Sequence, residues 1–184
     1  GVLDMLHEYR IDLSHTIPLT IYGNDYPLDN TQFVGGHNAG NLEACYLITK
    51  AVLADIHSVS DDIIHAAMNG IKPLDHRIQL ISEKDAIKFY DDSKATSSQA
   101  LRVALQAFPG PIVLIAGGSD KGDKFDLLSD LMKEKIGYGV FIGTTAPQFM
   151  EISTKNKIPH TTVATMEEAV HKAYEQAKAQ GISI

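Results

Sequence analysis

The chain of 184 residues has a single cysteine, Cys45, and no tryptophan. One cysteine excludes a disulfide within the chain, and it agrees with the reducing cytoplasm, where we expect the protein to be located. Basic residues are also scarce: 16 lysines and arginines stand against 23 aspartates and glutamates, which gives a net charge of −7. A general nucleic-acid-binding protein needs a basic face for the phosphates, so we predict no nucleic-acid partner.

Long hydrophobic runs are absent too. A membrane-spanning helix needs roughly 20 consecutive apolar residues, and since no segment approaches that length, we predict no membrane partner. Residues 1–13 are charged and amphipathic and do not have the layout of a signal peptide. The first residue is not methionine, and we expect the chain to be a fragment of a longer protein.

The hydrophobic patterns divide the chain near Pro73, which interrupts a helical pattern. Before it, two strand-like segments are followed by two helical patterns. The strand-like segments are residues 9–13 and 31–34, and the helices follow the N-cap candidates Asn38 and Ser60. Cys45 lies on the apolar face of the first helix, where we expect it to be part of the core.

After residue 77 the pattern changes to a regular alternation of strands and helices. The predicted strands are residues 78–81, 87–90, 112–116, 139–142 and 160–163, with the start of another at 182–184. The predicted helices are residues 97–108, 126–135, 146–155 and 166–179. Alternation of this kind predicts an α/β fold with a Rossmann-like, mostly parallel sheet.

The segment DDSKAT, residues 91–96, follows one of these strands and precedes a helix. Such turns lie at the ligand-binding edge of an α/β sheet, and helix N-termini together with a lysine attract phosphate. The alternative is structural: Asp92 and Lys94 form a solvated ion pair while Ser93 or Thr96 caps the helix. The pattern alone leaves both interpretations open.

The segment GGSDKG, residues 117–122, has the same position after the next strand. It matches neither the Walker A pattern nor G-x-G-x-x-G. Its glycines allow a ligand to approach the backbone, and Lys121 is able to bind a carboxylate or a phosphate. A tight turn with exposed charges is the equally open alternative.

His76 and Arg77 lie at the predicted domain boundary. Arginine binds anions with two parallel hydrogen bonds or stacks on flat groups, although a salt bridge between domains is an alternative role for Arg77. The remaining histidines show no spacing typical of metal ligands, so we predict no metal site in this chain.

Four motifs taken in order resemble the Mur ligase family. They are GGHNAGN at residues 35–41, DHR at 75–77, DDSKAT at 91–96 and AGGSDKGDKF at 116–125. The third motif is most similar to the family members that add D-glutamate, and the resemblance covers about residues 33–184. It implies that residues 1–77 are the C-terminal part of a central P-loop ATPase domain. Residues 78–184 would then be the Rossmann-like amino-acid-binding domain without its last segment.

The resemblance also implies an activity. Family members transfer the γ-phosphate of ATP, with Mg²⁺, to the carboxylate of UDP-N-acetylmuramoyl-L-alanine, and the amine of D-glutamate then attacks the acyl phosphate. The implied ATP-binding residues are Asn38, Asn41, His76, Arg77, Asp92 and Lys94, and the implied D-glutamate-binding residues are Lys94, Thr96 and Lys121. No catalytic residue or metal ligand is implied within this chain.

Because no Walker A loop is present, the resemblance implies that the chain is inactive alone; we also expect a monomer. Two other functions remain open at this point. One is a different Mur-type ligase or a folylpolyglutamate-type amide ligase. The other is a stand-alone Rossmann-like binding module without a ligase partner domain.

Overall fold

The computed structural model describes residues 26–53 and 59–184. The helices of this part are α1 (Gly36–Val52), α2 (Asp61–Asn69), α3 (Ser98–Gln106), α4 (Ser129–Lys135), α5 (Ala146–Lys155) and α6 (Met166–Gln180). Its strands are β1 (Gln79–Lys84), β2 (Ile87–Asp91), β3 (Ile112–Gly117), β4 (Ile136–Ile142) and β5 (His160–Thr162), and a 3₁₀ turn, Asp126–Leu128, leads into α4. The strand predicted at residues 9–13 lies outside the described residues, and residues 31–34 are irregular rather than extended.

Strands β3, β4 and β5 form a parallel sheet in that order. Along β4, Phe141 belongs to the hydrophobic cluster that includes Leu105 of α3, whereas Val140 clusters with Ala169 and Ala173 of α6. Successive side chains of a strand point to opposite faces, so β4 is buried on both sides between helical layers. The predicted α/β fold with a parallel sheet is confirmed.

Strands β1 and β2 form a separate antiparallel hairpin, which the strand–helix alternation did not predict. Lys84 pairs with Ile87 around the two-residue turn Asp85-Ala86, whose φ angles are 53° and 60°. Two consecutive left-handed residues are typical of the type I′ hairpin turn, which usually carries glycine at the second position. Because Ala86 stands there, the sequence lacked the usual hairpin signal.

Residues 182–184 connect the hairpin with the parallel sheet. The N–H of Lys88 in β2 donates to the carbonyl of Ser183 at 2.8 Å, and the N–H of Val113 in β3 donates to that of Ile184 at 2.9 Å. The segment predicted to start a strand therefore lies between β2 and β3.

The hairpin turn is also fixed to α6. The carboxylate of Asp85 accepts hydrogen bonds from the hydroxyl of Tyr174 at 2.5 Å and from Lys178 at 3.0 Å. These two donors, the hydroxyl first, hold the pKa of Asp85 below its usual value. The contact spans almost ninety positions of sequence and orients β2 relative to the sheet.

The N-terminal helices share a small hydrophobic cluster of their own, which comprises Tyr26, Ala39, Leu42, Ile64 and Met68. Both predicted helices are confirmed, but Cys45 is exposed rather than part of the core. The buried stripe of α1 runs through positions 39 and 42, and Cys45 lies at its edge. Within the described residues, no helix has both the length and the apolar composition needed to cross a membrane.

The start of α1 differs from the prediction. The helix begins at Gly36 and its N-cap is Gly35, whereas Asn38 lies in the first turn and its side-chain amide donates to the carbonyl of Val34 at 2.8 Å. Gly35 has φ 87°, and a Cβ there would lie 2.8 Å from that of Ala107. The left-handed backbone and the close approach both require glycine at this position.

Ser153 offers a test of the packing between α5 and the sheet. Its side chain is fully buried, and its hydroxyl has no hydrogen-bond partner in the described part of the chain. Since a buried unsatisfied polar group is costly, we expect Ser153→Ala to raise the free energy of unfolding by about 1 kcal/mol. Urea denaturation checks this, with the exposed Thr154→Ala as the control for helix propensity. A Ser153→Ala variant that gains no more stability than Thr154→Ala would contradict the packing described.

Candidate functional site

Three loops follow strands β2, β3 and β4. They are the β2 loop (residues 92–97), the β3 loop (118–125) and the β4 loop (143–145). The β3 loop contacts both the β4 loop and the start of the helix that follows the β2 loop. The carboxylate of Asp123 in the β3 loop accepts hydrogen bonds from Ser98, the first residue of α3, through the N–H at 2.5 Å and the hydroxyl at 2.7 Å. This contact ties the fourth motif to the helix that begins two residues after the third motif.

The opposite side of the β3 loop is bound to the β4 loop. The N–H of Asp120 donates to the hydroxyl of Thr144 at 3.1 Å, and that hydroxyl donates to the carbonyl of Gly118 at 2.8 Å. Gln148 of α5 donates to the carboxylate of Asp120 at 3.3 Å. The β3 loop is therefore held from both sides.

The two aspartates at the end of β2 have different environments. The carboxylate of Asp91 accepts hydrogen bonds from His76 Nδ1 at 2.6 Å and from the N–H of Ser93 at 2.8 Å. The hydrogen bond from His76 is the main reason why the pKa of Asp91 lies below its usual value. His76 is thus a partner of Asp91.

Asp92 is half-buried, and its Oδ1 accepts a hydrogen bond from the N–H of Ile78 at 3.1 Å. Burial raises the pKa of its carboxyl group, whereas that hydrogen bond, the charge of Arg77 and that of His37 act in the opposite direction. No ion pair between Asp92 and Lys94 occurs in the described residues, so the solvated-pair interpretation of DDSKAT does not hold.

The segment around Arg77 has an unusual backbone. His76 and Ile78, on either side of it, have φ angles of 65° and 45°. Left-handed conformations are uncommon for residues other than glycine, and for a β-branched residue such as Ile78 they indicate strain. The carbonyl of His76 accepts a hydrogen bond from the N–H of Lys94 at 3.2 Å, so this segment and the β2 loop are in contact. The guanidinium of Arg77 is exposed and forms no salt bridge within the described part.

Asn38 and Asn41 lie one turn apart on α1. The side-chain amide of Asn41 is 3.5 Å from Asn38 Oδ1. His37, the neighbour of Asn38, is close enough to Asp92 for each to influence the pKa of the other, although burial is the main effect and lowers the pKa of His37. The N-terminus of α1 therefore lies near the end of β2.

Lys94, Thr96 and Lys121 are exposed on the β2 and β3 loops. None of the three side chains makes a hydrogen bond or ion pair with another described residue. Their polar groups are thus available to a ligand, and the Ser98–Asp123 contact holds the loops that carry them.

The glycines at the end of β3 and in the β3 loop have two different roles. A Cβ at Gly117 would lie 1.7 Å from the carbonyl oxygen of Ile142, so this glycine is required by the close approach of β3 and β4. At Gly118 and Gly122, both with positive φ, a Cβ would meet nothing within 4 Å. Of these three glycines, only Gly118 and Gly122 leave space for a ligand to approach the backbone.

Sequence reasoning did not identify Ser98, Asp123 or Thr144 as parts of this region. Asp123 lies within the fourth motif, but its partner is 25 residues away and no local pattern connects the two. Among the described residues, no group of three or more His, Cys, Asp or Glu side chains is arranged to hold a metal ion.

Comparisons of sequence and of fold show which known proteins the chain is similar to. Residues 76–184 match the family model described as Mur ligase, glutamate ligase domain. The chain is 38% identical over 147 residues to UDP-N-acetylmuramoylalanine–D-glutamate ligase of Thermoanaerobacter sp. (strain X514), an alignment that covers 78% of this chain. It is 33% identical over 150 residues, or 82% of this chain, to the ligase of the same name from Chlorobium chlorochromatii.

The chain spans 31% of the length of each of these two relatives. A crystal structure of MurF from Acinetobacter baumannii superposes with a TM-score of 0.61 at 21% identity, covering 82% of this chain and 34% of that chain. At this identity the likeness concerns the fold alone.

The neighbouring aspartates give a prediction about pH. The lowered pKa of Asp91 means that its stabilising effect is present above the pKa of the unfolded chain and is lost as the pH falls through the folded-state pKa. The raised pKa of Asp92 means that its contribution is greatest below the unfolded pKa and is lost as the pH rises through the folded-state pKa.

We therefore expect Asp91→Asn to be less stable than the unchanged chain near neutral pH, with the difference shrinking towards acid. Asp92→Asn should instead gain stability relative to the unchanged chain as the pH rises. Urea denaturation between about pH 3 and 7 measures both slopes. Slopes of the same sign for the two variants would contradict the assignment.

Proposed function

The chain belongs to the Mur ligase family, and we propose that it forms the D-glutamate side of the active site of an ATP-dependent ligase. The full-length protein would join D-glutamate to UDP-N-acetylmuramoyl-L-alanine in peptidoglycan synthesis. The observation that carries this proposal is the presence of two unpaired lysines, Lys94 and Lys121, on two loops that the Ser98–Asp123 contact at the start of α3 brings into proximity.

D-glutamate suits this arrangement chemically. It carries two carboxylates at neutral pH, and ammonium groups form strong, charge-assisted hydrogen bonds with carboxylates. Lys94 and Thr96 approach from the β2 loop and Lys121 from the β3 loop. The open space beside Gly118 and Gly122 allows the ligand to lie against the backbone of the β3 loop.

ATP would bind on the side formed by α1 and by the hinge (residues 76–78), the segment at the predicted domain boundary. Asp92 Oδ1 is occupied by the N–H of Ile78, which leaves Oδ2 free to accept a hydrogen bond from a ribose hydroxyl. Arg77 is exposed and able to bind phosphate, with His76 beside it and Lys94 across the contact with the β2 loop. The amides of Asn38 and Asn41 match the donors and acceptors of adenine.

The proposed reaction has two steps. The γ-phosphoryl group of ATP passes to a carboxylate oxygen of UDP-N-acetylmuramoyl-L-alanine, which gives an acyl phosphate and ADP. The amine nitrogen of D-glutamate then attacks the acyl carbon, phosphate leaves and the amine proton is lost, so that an amide forms. When bound, Mg²⁺ neutralises phosphate charge in such transfers, and no residue described in this chain is assigned to it.

The sequence contains no Walker A pattern, so this chain alone is expected to release no ADP with all three substrates and Mg²⁺. The full-length protein is expected to release ADP only when D-glutamate is the amino acid supplied. A coupled ADP assay with a panel of amino acids measures both. Activation by another amino acid instead would favour a different amide ligase, and no ADP release with any would favour a binding module.

Lys121→Ala in the full-length protein tests the D-glutamate side directly. Loss of a charge-assisted hydrogen bond to a carboxylate should raise the KM for D-glutamate by about tenfold or more, with little change in the KM for ATP. Lys124→Ala removes an exposed lysine of the same loop and should leave both constants unchanged. Equal effects of the two variants would refute the role of Lys121.

A further inference from the structure

We propose that Asp123 is a positioning residue for D-glutamate: its hydrogen bonds to Ser98 set the separation between the two lysine-bearing loops. The inference rests on the proposed function. Asp123 itself does not contact the substrate in this proposal. It acts through Lys121 on its own loop and through Lys94 and Thr96 on the other.

Both oxygens of the carboxylate take part in the contact. Oδ2 accepts from the N–H of Ser98 at 2.5 Å, and Oδ1 accepts from its hydroxyl at 2.7 Å. Two parallel hydrogen bonds fix direction as well as distance, which a single bond does not. Ser97 caps the same helix by accepting from the N–H of Ala100 at 3.2 Å, so the start of α3 is itself well defined.

Lys121 lies between two anchored aspartates. On one side Asp123 is bound to α3, and on the other Asp120 is bound to Thr144 of the β4 loop. The carboxylate of Asp120 also accepts from the N–H of Gly122 at 2.8 Å, which closes a tight turn around Lys121. The backbone at Lys121 is thus restrained while its side chain is exposed.

The β2 loop is restrained in a similar way. The N–H of Ala95 donates to the carbonyl of Asp92 at 2.8 Å, and the N–H of Lys94 donates to the carbonyl of His76. Thr96 then lies two residues before Ser98. Each loop is therefore ordered by its own bonds, and the Ser98–Asp123 contact relates one loop to the other.

A second hydrogen bond joins α3 to the chain that follows the β3 loop, farther from the two lysines. Arg102, one turn along α3, donates to the carbonyl of Leu127 at 3.2 Å. It offers a matched control, because Arg102→Gln removes a hydrogen bond between the same segments without touching Ser98 or Asp123. The hydrogen bonds from Ser98 hold the pKa of Asp123 below its usual value.

The test uses the full-length ligase with Asp123→Ala, Ser98→Ala and the double variant of Asp123→Ala with Ser98→Ala. We expect Asp123→Ala to raise the KM for D-glutamate by about tenfold while the KM for ATP changes less than about twofold. Ser98→Ala keeps the N–H donor and should have a smaller effect in the same direction. The double variant should be no worse than Asp123→Ala, because both changes remove one interaction.

Rescue and control variants make the outcome decisive. Ser98→Thr retains a hydroxyl and should keep the KM for D-glutamate near that of the unchanged enzyme, as should Arg102→Gln. An unchanged KM for D-glutamate in Asp123→Ala, or equal increases in the KM for ATP and D-glutamate, overturns the inference. If the unchanged enzyme does not respond to D-glutamate at all, the proposed function itself is wrong, and that result is distinct from either of these.

Discussion

Close parallel pairing of β3 with β4 is the constraint on which the candidate site depends. The two strands approach so closely at their carboxyl ends that a Cβ at Gly117 would overlap the carbonyl of Ile142, and the N–H of Gly118 donates to that same carbonyl at 3.1 Å. This approach fixes where the β3 loop leaves the sheet. Since parallel strands end at one edge, the loops that follow them meet there.

The hinge segment provides hydrogen-bond donors to the two aspartates at the end of β2. Strained left-handed residues on both sides of Arg77 turn the chain so that His76 reaches Asp91 and the N–H of Ile78 reaches Asp92. One carboxylate is thereby stabilised in its ionised form, and its neighbour is kept half-buried with one oxygen free. Adjacent residues of the same type thus acquire different properties, Asp91 chiefly from its hydrogen bond with His76 and Asp92 chiefly from burial.

Lys94 and Lys121 differ from ordinary exposed lysines in the restraints on their backbone. A free lysine on an exposed loop is ordinarily mobile and solvated, but Lys121 lies on a backbone restrained at Asp120 and at Asp123. Lys94 is restrained through its bond to the hinge. Ordering a loop before a ligand arrives lowers the entropic cost of binding, which supports the proposed role of these two lysines.

The helices and the central strands could be predicted from the sequence, because apolar periodicity and helix-ending residues are local signals: α5 was predicted at its observed bounds. The sequence also determined the order of the four motifs that resemble the Mur ligases. The β1–β2 hairpin, the different environments of Asp91 and Asp92, and the hydrogen bonds between Asp123 and Ser98 became visible in the folded structure alone. Each of these depends on a turn without its usual glycine or on a partner many residues away, and hydrogen bonds and burial between distant segments leave no periodic trace in the chain.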